Sequence, residues 1–172
     1  DAVVAIHSGP GGESSGNSND IWSAHWPTLT ISTDDEDENG NDHFVDGISQ
    51  VPEYQLSNGE KNPLGVWCHE FGHELGLPDY YDTDGSSEGV GNWAVMAAGS
   101  WGNNGETPVY FSAYSRYWLG WDEPVLVQGD IANLVIEPVS EGGKIYKLPI
   151  PGNWTDSEQY FLLENRQQTK YD

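Results

Sequence analysis

Basic side chains are scarce in this chain. Lys and Arg total 6 against 28 Asp and Glu, which leaves a formal net charge of -22. A surface that acidic repels phosphate, so nucleic acid is excluded as a partner and an anionic membrane nearly so. Cysteine is almost absent. The single Cys68 excludes an internal disulfide framework, which suits a bacterial exported protein as well as a cytosolic one. No apolar run is long enough to cross a bilayer. No basic start followed by an apolar stretch marks a signal peptide. The chain opens at Asp1 and enters Ala2-Val3-Val4-Ala5-Ile6 directly. A chain that begins inside a strand is expected to have been cut from something longer.

What is present argues for a folded protein. The 172 residues suit one domain, or one domain with a small appendage. Eight Trp, nine Tyr and four Phe are too many core-type side chains for a disordered chain. Residues 2–7 read as a buried strand, 28–32 as a second, and 44–55 as a third with Pro52 marking an edge. Residues 63–76 read as a helix, with Pro63 in its first turn and Gly76 just past its end. Residues 77–107 are rich in turns, and 110–119 read as a second helix. Beyond Trp121 the texture becomes short strands, expected at 125–127, 134–136, 145–148 and 160–163.

The chemistry concentrates in His69-Glu70-x-x-His73-x-x-Gly76-x-x-Asp79. Histidines four apart on a helix lie about 40° apart around its axis, one turn above the other. Both imidazoles can then face one ion, and zinc accepts imidazole nitrogen at about 2.0–2.1 Å. Glu70 falls beside that face, placed to deprotonate a water. A catalytic zinc takes three protein ligands and keeps one position open. Gly76 lets the chain reverse, so Asp79 is the expected third ligand. Glu164, in a predicted strand far downstream, is the rival. An accidental surface pair of histidines is the plain alternative, and the added Gly76 and Asp79 weigh against it.

These residues resemble the extended motif of the metzincin clan. The run HEFGHELGLPDYYDT, with VVAIHSG, DIWSAHW, VMAAGSW and QYFLLENRQ, is similar to the immune inhibitor A family of secreted bacterial metallopeptidases. The resemblance implies a metzincin-like α/β (α+β) catalytic domain over residues 1–120. Residues 121–172 would be a β-rich segment that packs on it or begins the next domain. It implies a secreted zinc endopeptidase of proteins or peptides, with a propeptide in its precursor and further sheet and helix before this sheet. It also implies a turn under the metal carrying Met96, the chain's one methionine, as the floor of the site. Some metzincins place an oxyanion-stabilising Tyr two residues after that Met. Here the position is Ala98, which leaves the task to the metal or to Tyr110 or Tyr114.

A second metal template is present. Asp35-x-Asp37-x-Asn39-Gly40-x5-Asp46 matches a calcium loop, with Asp at the twelfth position instead of Glu. A solvated acidic run is the plain alternative. Asp82, Asp84 and Glu88 form another oxygen cluster without a template. Cys68, His7, His25 and His43 read as structural or surface residues, and Glu74 as a helix-surface charge. The expected path of a substrate peptide is along an edge strand near residues 47–55. The competing function is a calcium-stabilised, non-enzymatic binding or adhesion module with a degenerate metal site. Glu70 opposes it, since a module that only binds needs no base.

Overall fold

The structure is a computed structural model, and it describes residues 2–55, 59–150, 159–169 and 171–172. The chain divides into two compact units, residues 1–108 and 109–172.

The first unit is built on a sheet of three strands: β1 (Val4–Pro10), β2 (Ala24–Glu36) and β3 (Asp42–Tyr54). Between β1 and β2 lies a single helical turn, α1 (Gly12–Ser15). The strand order is β1-β3-β2, with β1 parallel and β2 antiparallel to β3. β3 is therefore central, which corrects the expectation of an edge strand near residues 47–55. The outer strands are β1 and β2. β1 is also less buried than its apolar sequence suggests, since Val4 is 36% and Ile6 61% exposed. The sheet's covered face is read most clearly along β3. Gly47, Ser49 and Val51 alternate inward, following the two-residue period of a strand.

On that face lies α2 (Leu64–Glu74). Pro63 precedes it without a side-chain cap, and the orphan N–H of Gly65 is satisfied by the Gly105 carbonyl at 2.8 Å. A Cβ on Gly65 would come within 1.8 Å of the Ser100 oxygen. Only glycine lets the helix lie this close to the segment 98–101. At the other end Gly76 takes φ +89 and donates to the His73 carbonyl at 2.9 Å, while Leu77 N–H reaches Gly72 O at 3.1 Å. This left-handed turn stops the helix and sends the chain back along it. Val66, Leu77 and the run Ala94-Val95-Met96-Ala97 are buried, Met96 completely.

The second unit holds α3 (Ala113–Trp118), capped by the Ser112 hydroxyl, and a small sheet. Its strands are β4 (Val125–Leu126), β5 (Tyr146–Pro149) and β6 (Tyr160–Leu163), in that order. The strand expected at 134–136 does not form. The Ile136 carbonyl instead accepts from Asn165 Nδ2. The architecture is mixed α/β throughout.

Candidate metal centre

His69 and His73 project from successive turns of α2, their rings edge to face with centroids 4.9 Å apart. Each ring is held from behind through Nδ1. His69 Nδ1 lies 2.9 Å from the Val95 carbonyl, and His73 Nδ1 lies 2.7 Å from the Leu77 carbonyl. A carbonyl oxygen can only accept, so both Nδ1 atoms carry protons and both Nε2 atoms are left to face forward. They face one atom. Asp79 Oδ1 lies 3.0 Å from His69 Nε2 and 3.3 Å from His73 Nε2.

That oxygen is buried and has no hydrogen-bond donor aligned on it. When both rings are neutral, two lone pairs point at a third. Three acceptors then converge on a space that needs a cation. A proton supplies part of this. Burial opposes charge on His73, but the facing Asp79, the Leu77 carbonyl and Glu70 outweigh it and raise its pKa. Burial also works to raise the Asp79 carboxyl, yet the two imidazoles hold it well below the usual carboxylate range. A metal ion satisfies all three atoms together. Ligands at about 2.0–2.1 Å in a tetrahedron stand roughly 3.3 Å apart, close to the separations seen here. Two neutral imidazoles and one carboxylate form a donor set suited to zinc. Among the described residues, this trio is the one group of three His, Cys, Asp or Glu side chains close enough to share an ion.

Asp79 reaches the site because the loop after Gly76 is tied down. Tyr80 N–H donates to the Met96 carbonyl at 2.8 Å. The segment around Met96 thus fixes two members of the trio by its backbone, His69 through Val95 and Asp79 through its neighbour Tyr80. Glu164 is engaged elsewhere. Its oxygens accept from Ala113 N–H at 3.1 Å, Arg116 Nη2 at 2.9 Å and Arg166 Nη1 at 3.4 Å. It fixes the start of α3 within the second unit.

Glu70 is 6% exposed and borders a cavity of about 400 Å³ shared with His69, Glu13, Trp22, Tyr81 and Trp101. Burial pushes its carboxyl up to about 7 against the pull of His69 and His73, with Asp79 and Glu13 adding to the push. Tyr81 is a site residue that sequence reasoning missed. Its ring stacks on His69 at 6.2 Å, and burial, followed by the Asp79 carboxylate, raises its phenol to about 12. Tyr110 and Tyr114 belong to the second unit, where Tyr114 stacks on Trp118 at 6.2 Å.

One further side chain behind the site departs from expectation. Glu74 is no surface charge. Its side chain is 5% exposed, accepts from Ser49 Oγ at 3.0 Å and lies 3.4 Å from His25 Nδ1. The ring of His25 stacks on His73 at 6.0 Å. Ser49 Oγ also lies 3.0 Å from the Glu70 carbonyl, so this buried group joins the sheet to α2. Cys68 is half-buried, and burial raises its thiol pKa, as expected of a packing residue and not of a nucleophile.

The calcium template is not assembled. Strand pairing sets Asp46 opposite Thr30 and Asp42 opposite Glu36. Asp46 therefore lies four residues along β3 from Asp42, the partner of Glu36, about 13 Å away at ~3.3 Å per residue, and is remote from Asp35 and Asp37 at the hairpin end. Asp37 instead binds its own turn. It accepts from Asn41 Nδ2 at 2.9 Å, Asn41 N–H at 2.9 Å and Asn39 N–H at 2.8 Å. Those bonds, the Asn41 side chain first, lower its pKa to about 2. Gly40, with φ +78, serves the same turn. The Asp82 cluster is likewise a turn, closed by Ser86 Oγ donating to Asp82 at 2.8 Å.

Residues 1–122 match the family described as Immune inhibitor A peptidase M6, catalytic domain. The chain belongs to this peptidase family. It is 32% identical over 142 residues to Immune inhibitor A of Bacillus thuringiensis subsp. alesti, a match covering 78% of this chain and 20% of that protein. It is 46% identical over 59 residues to the pre-pro-metalloprotease PrtV of Vibrio cholerae, covering 32% of this chain and 6% of that protein. The chain thus matches only a small part of the length of either relative. No solved structure gives a significant match.

Proposed function

We propose that this chain carries the catalytic centre of a secreted, zinc-dependent endopeptidase of metzincin type. The observation that carries the reading is the convergence of His69 Nε2, His73 Nε2 and the donorless Asp79 Oδ1. The three residues would hold zinc, which when bound polarises a water and the scissile carbonyl. Glu70 stands beside these ligands with a buried carboxylate facing the cavity. It takes a proton from the attacking water and delivers it to the leaving amine. Tyr81, stacked on His69 in the same cavity, would donate to the developing oxyanion. Met96 closes the site from below, and its neighbours hold the ligands.

The substrate backbone would lie along β2. That strand has an unpaired edge in the described sheet, and the residues leading into it, Trp22 and Ser23, line the cavity. Main-chain pairing with such an edge binds an extended peptide regardless of most side chains. No helix among the described residues is long and apolar enough to cross a membrane. We place the protein outside the cell and infer a propeptide in its precursor, since the Vibrio relative's name describes that protein as a pre-pro form.

Casein cleavage by the zinc-loaded chain tests the reading. Chelation should remove both zinc and activity, and stoichiometric zinc should restore both. Activity that survives complete removal of metal would reject it.

A further inference from the structure

The cavity beside Glu70 contains a second carboxylate, which the proposed chemistry does not use. Glu13, half-buried, is fixed by Ser23. It accepts from Ser23 Oγ at 2.7 Å through one oxygen and from Ser23 N–H at 3.1 Å through the other. Each oxygen of an ionised carboxylate has room for a further donor. Among the described residues no Lys or Arg forms an ion pair with it. Residues 1–108 contain one Lys, Lys61, and no Arg. The remaining wall is mainly apolar and aromatic, from Val66, Trp22 and Trp101.

We propose that this cavity is a specificity pocket for a basic side chain, Arg above all, on a residue flanking the bond to be cut. The inference rests on the peptidase reading above and names its substrate class. A mainly apolar cavity with the Glu13 carboxylate in its wall, beside Glu70, matches a side chain with a methylene stem and a cationic head. Indole faces add attraction for a guanidinium. An apolar occupant would desolvate Glu13 and offer it no countercharge, which costs binding. An acidic occupant would meet both Glu13 and the net charge of -22. The same overall charge draws cationic peptides toward the site.

The test uses peptides that differ only at one residue, Arg, citrulline, Leu or Glu, placed in turn on each side of a single cleavable bond. Citrulline keeps the shape of Arg without its charge. Two quantities are read on the zinc-loaded chain and on its Glu13→Gln variant, which keeps an oxygen for Ser23. One is kcat/KM. The other is peptide affinity by calorimetry on the metal-free protein, which needs no turnover. In the unaltered chain Arg should exceed citrulline and Leu by about tenfold in both, with Glu poorest. In Glu13→Gln the ratio of Arg to citrulline should fall to about one. Because each ratio is internal to one protein, a partly destabilised variant still reports it. Equal treatment of Arg and citrulline overturns the proposal. So does an Arg preference that Glu13→Gln leaves intact, which would assign it to Glu70 or to the long-range field. If no peptide is cleaved but Arg binds preferentially through Glu13, the peptidase reading falls and the cationic pocket stands.

Discussion

At Asp79 the demands of the centre meet on one oxygen. Oδ1 is buried, faces two imidazole nitrogens at 3.0 and 3.3 Å, and has no donor aligned on it. A buried acceptor without a donor costs roughly 1–3 kcal/mol, so a cation at this point relieves the folded state as well as completing the site. Asp79→Ala should therefore weaken zinc binding by more than about 100-fold, beyond the 10–100-fold typical of outer-shell changes. Glu164→Ala should leave zinc affinity unchanged, because its carboxylate serves Arg116, Arg166 and the Ala113 N–H. Zinc titration followed by elemental analysis separates the two. The reverse result would transfer the third ligand to Glu164. The grouping of the trio was legible in sequence because helical spacing fixes the direction of two histidines, and a glycine stop fixes the return of Asp79. Tyr81 was not legible. Its place depends on the tie between Tyr80 and the Met96 carbonyl, a bond across sixteen residues of turns with no periodic signal.

Elements hold the residues by close approach. α2 can lie against segment 98–101 because position 65 has no side chain beyond hydrogen, and Ser100 O occupies the space a Cβ would need. Gly65→Ala should destabilise the fold by about 1–3 kcal/mol, the usual cost of overpacking, read as a lower midpoint in denaturant. An unchanged midpoint would mean that the helix can withdraw freely. The hairpin β2–β3 makes the opposite point. Its residues read as a calcium loop from spacing alone, but strand register moves Asp46 away from Asp35, and Asp37 is bound by its own turn. Register is set by pairing partners, which a linear template does not contain. Calcium and magnesium at equal ionic strength should accordingly raise the melting temperature equally, through screening. A clear excess for calcium would restore the loop as a specific site. The central place of β3 was hidden for the same reason, since Pro52 marked an edge that strand β1 covers.

Across the whole molecule, charge and chemistry are divided. Most of the 28 acidic side chains lie in residues 1–108, the unit that also holds the histidine pair, the cavity and a single Lys. In the second unit, Arg116 and Arg166 are both committed to Glu164, with Asp122 and Asp172 as further partners. The two arginines therefore brace structure in one unit, whereas the other presents carboxylates to whatever enters its cleft. In the proposed reaction only one of those carboxylates, Glu70, moves a proton, and it lies outside the His69, His73 and Asp79 trio. The most direct test of the account is Glu70→Ala, with zinc per chain measured beside turnover of a peptide. We predict one zinc per chain in both proteins, and turnover lower in the variant by at least about 100-fold, the lower end of a general base's contribution. Turnover retained with zinc in place would contradict the assigned base, and zinc lost with Glu70 would make it a ligand.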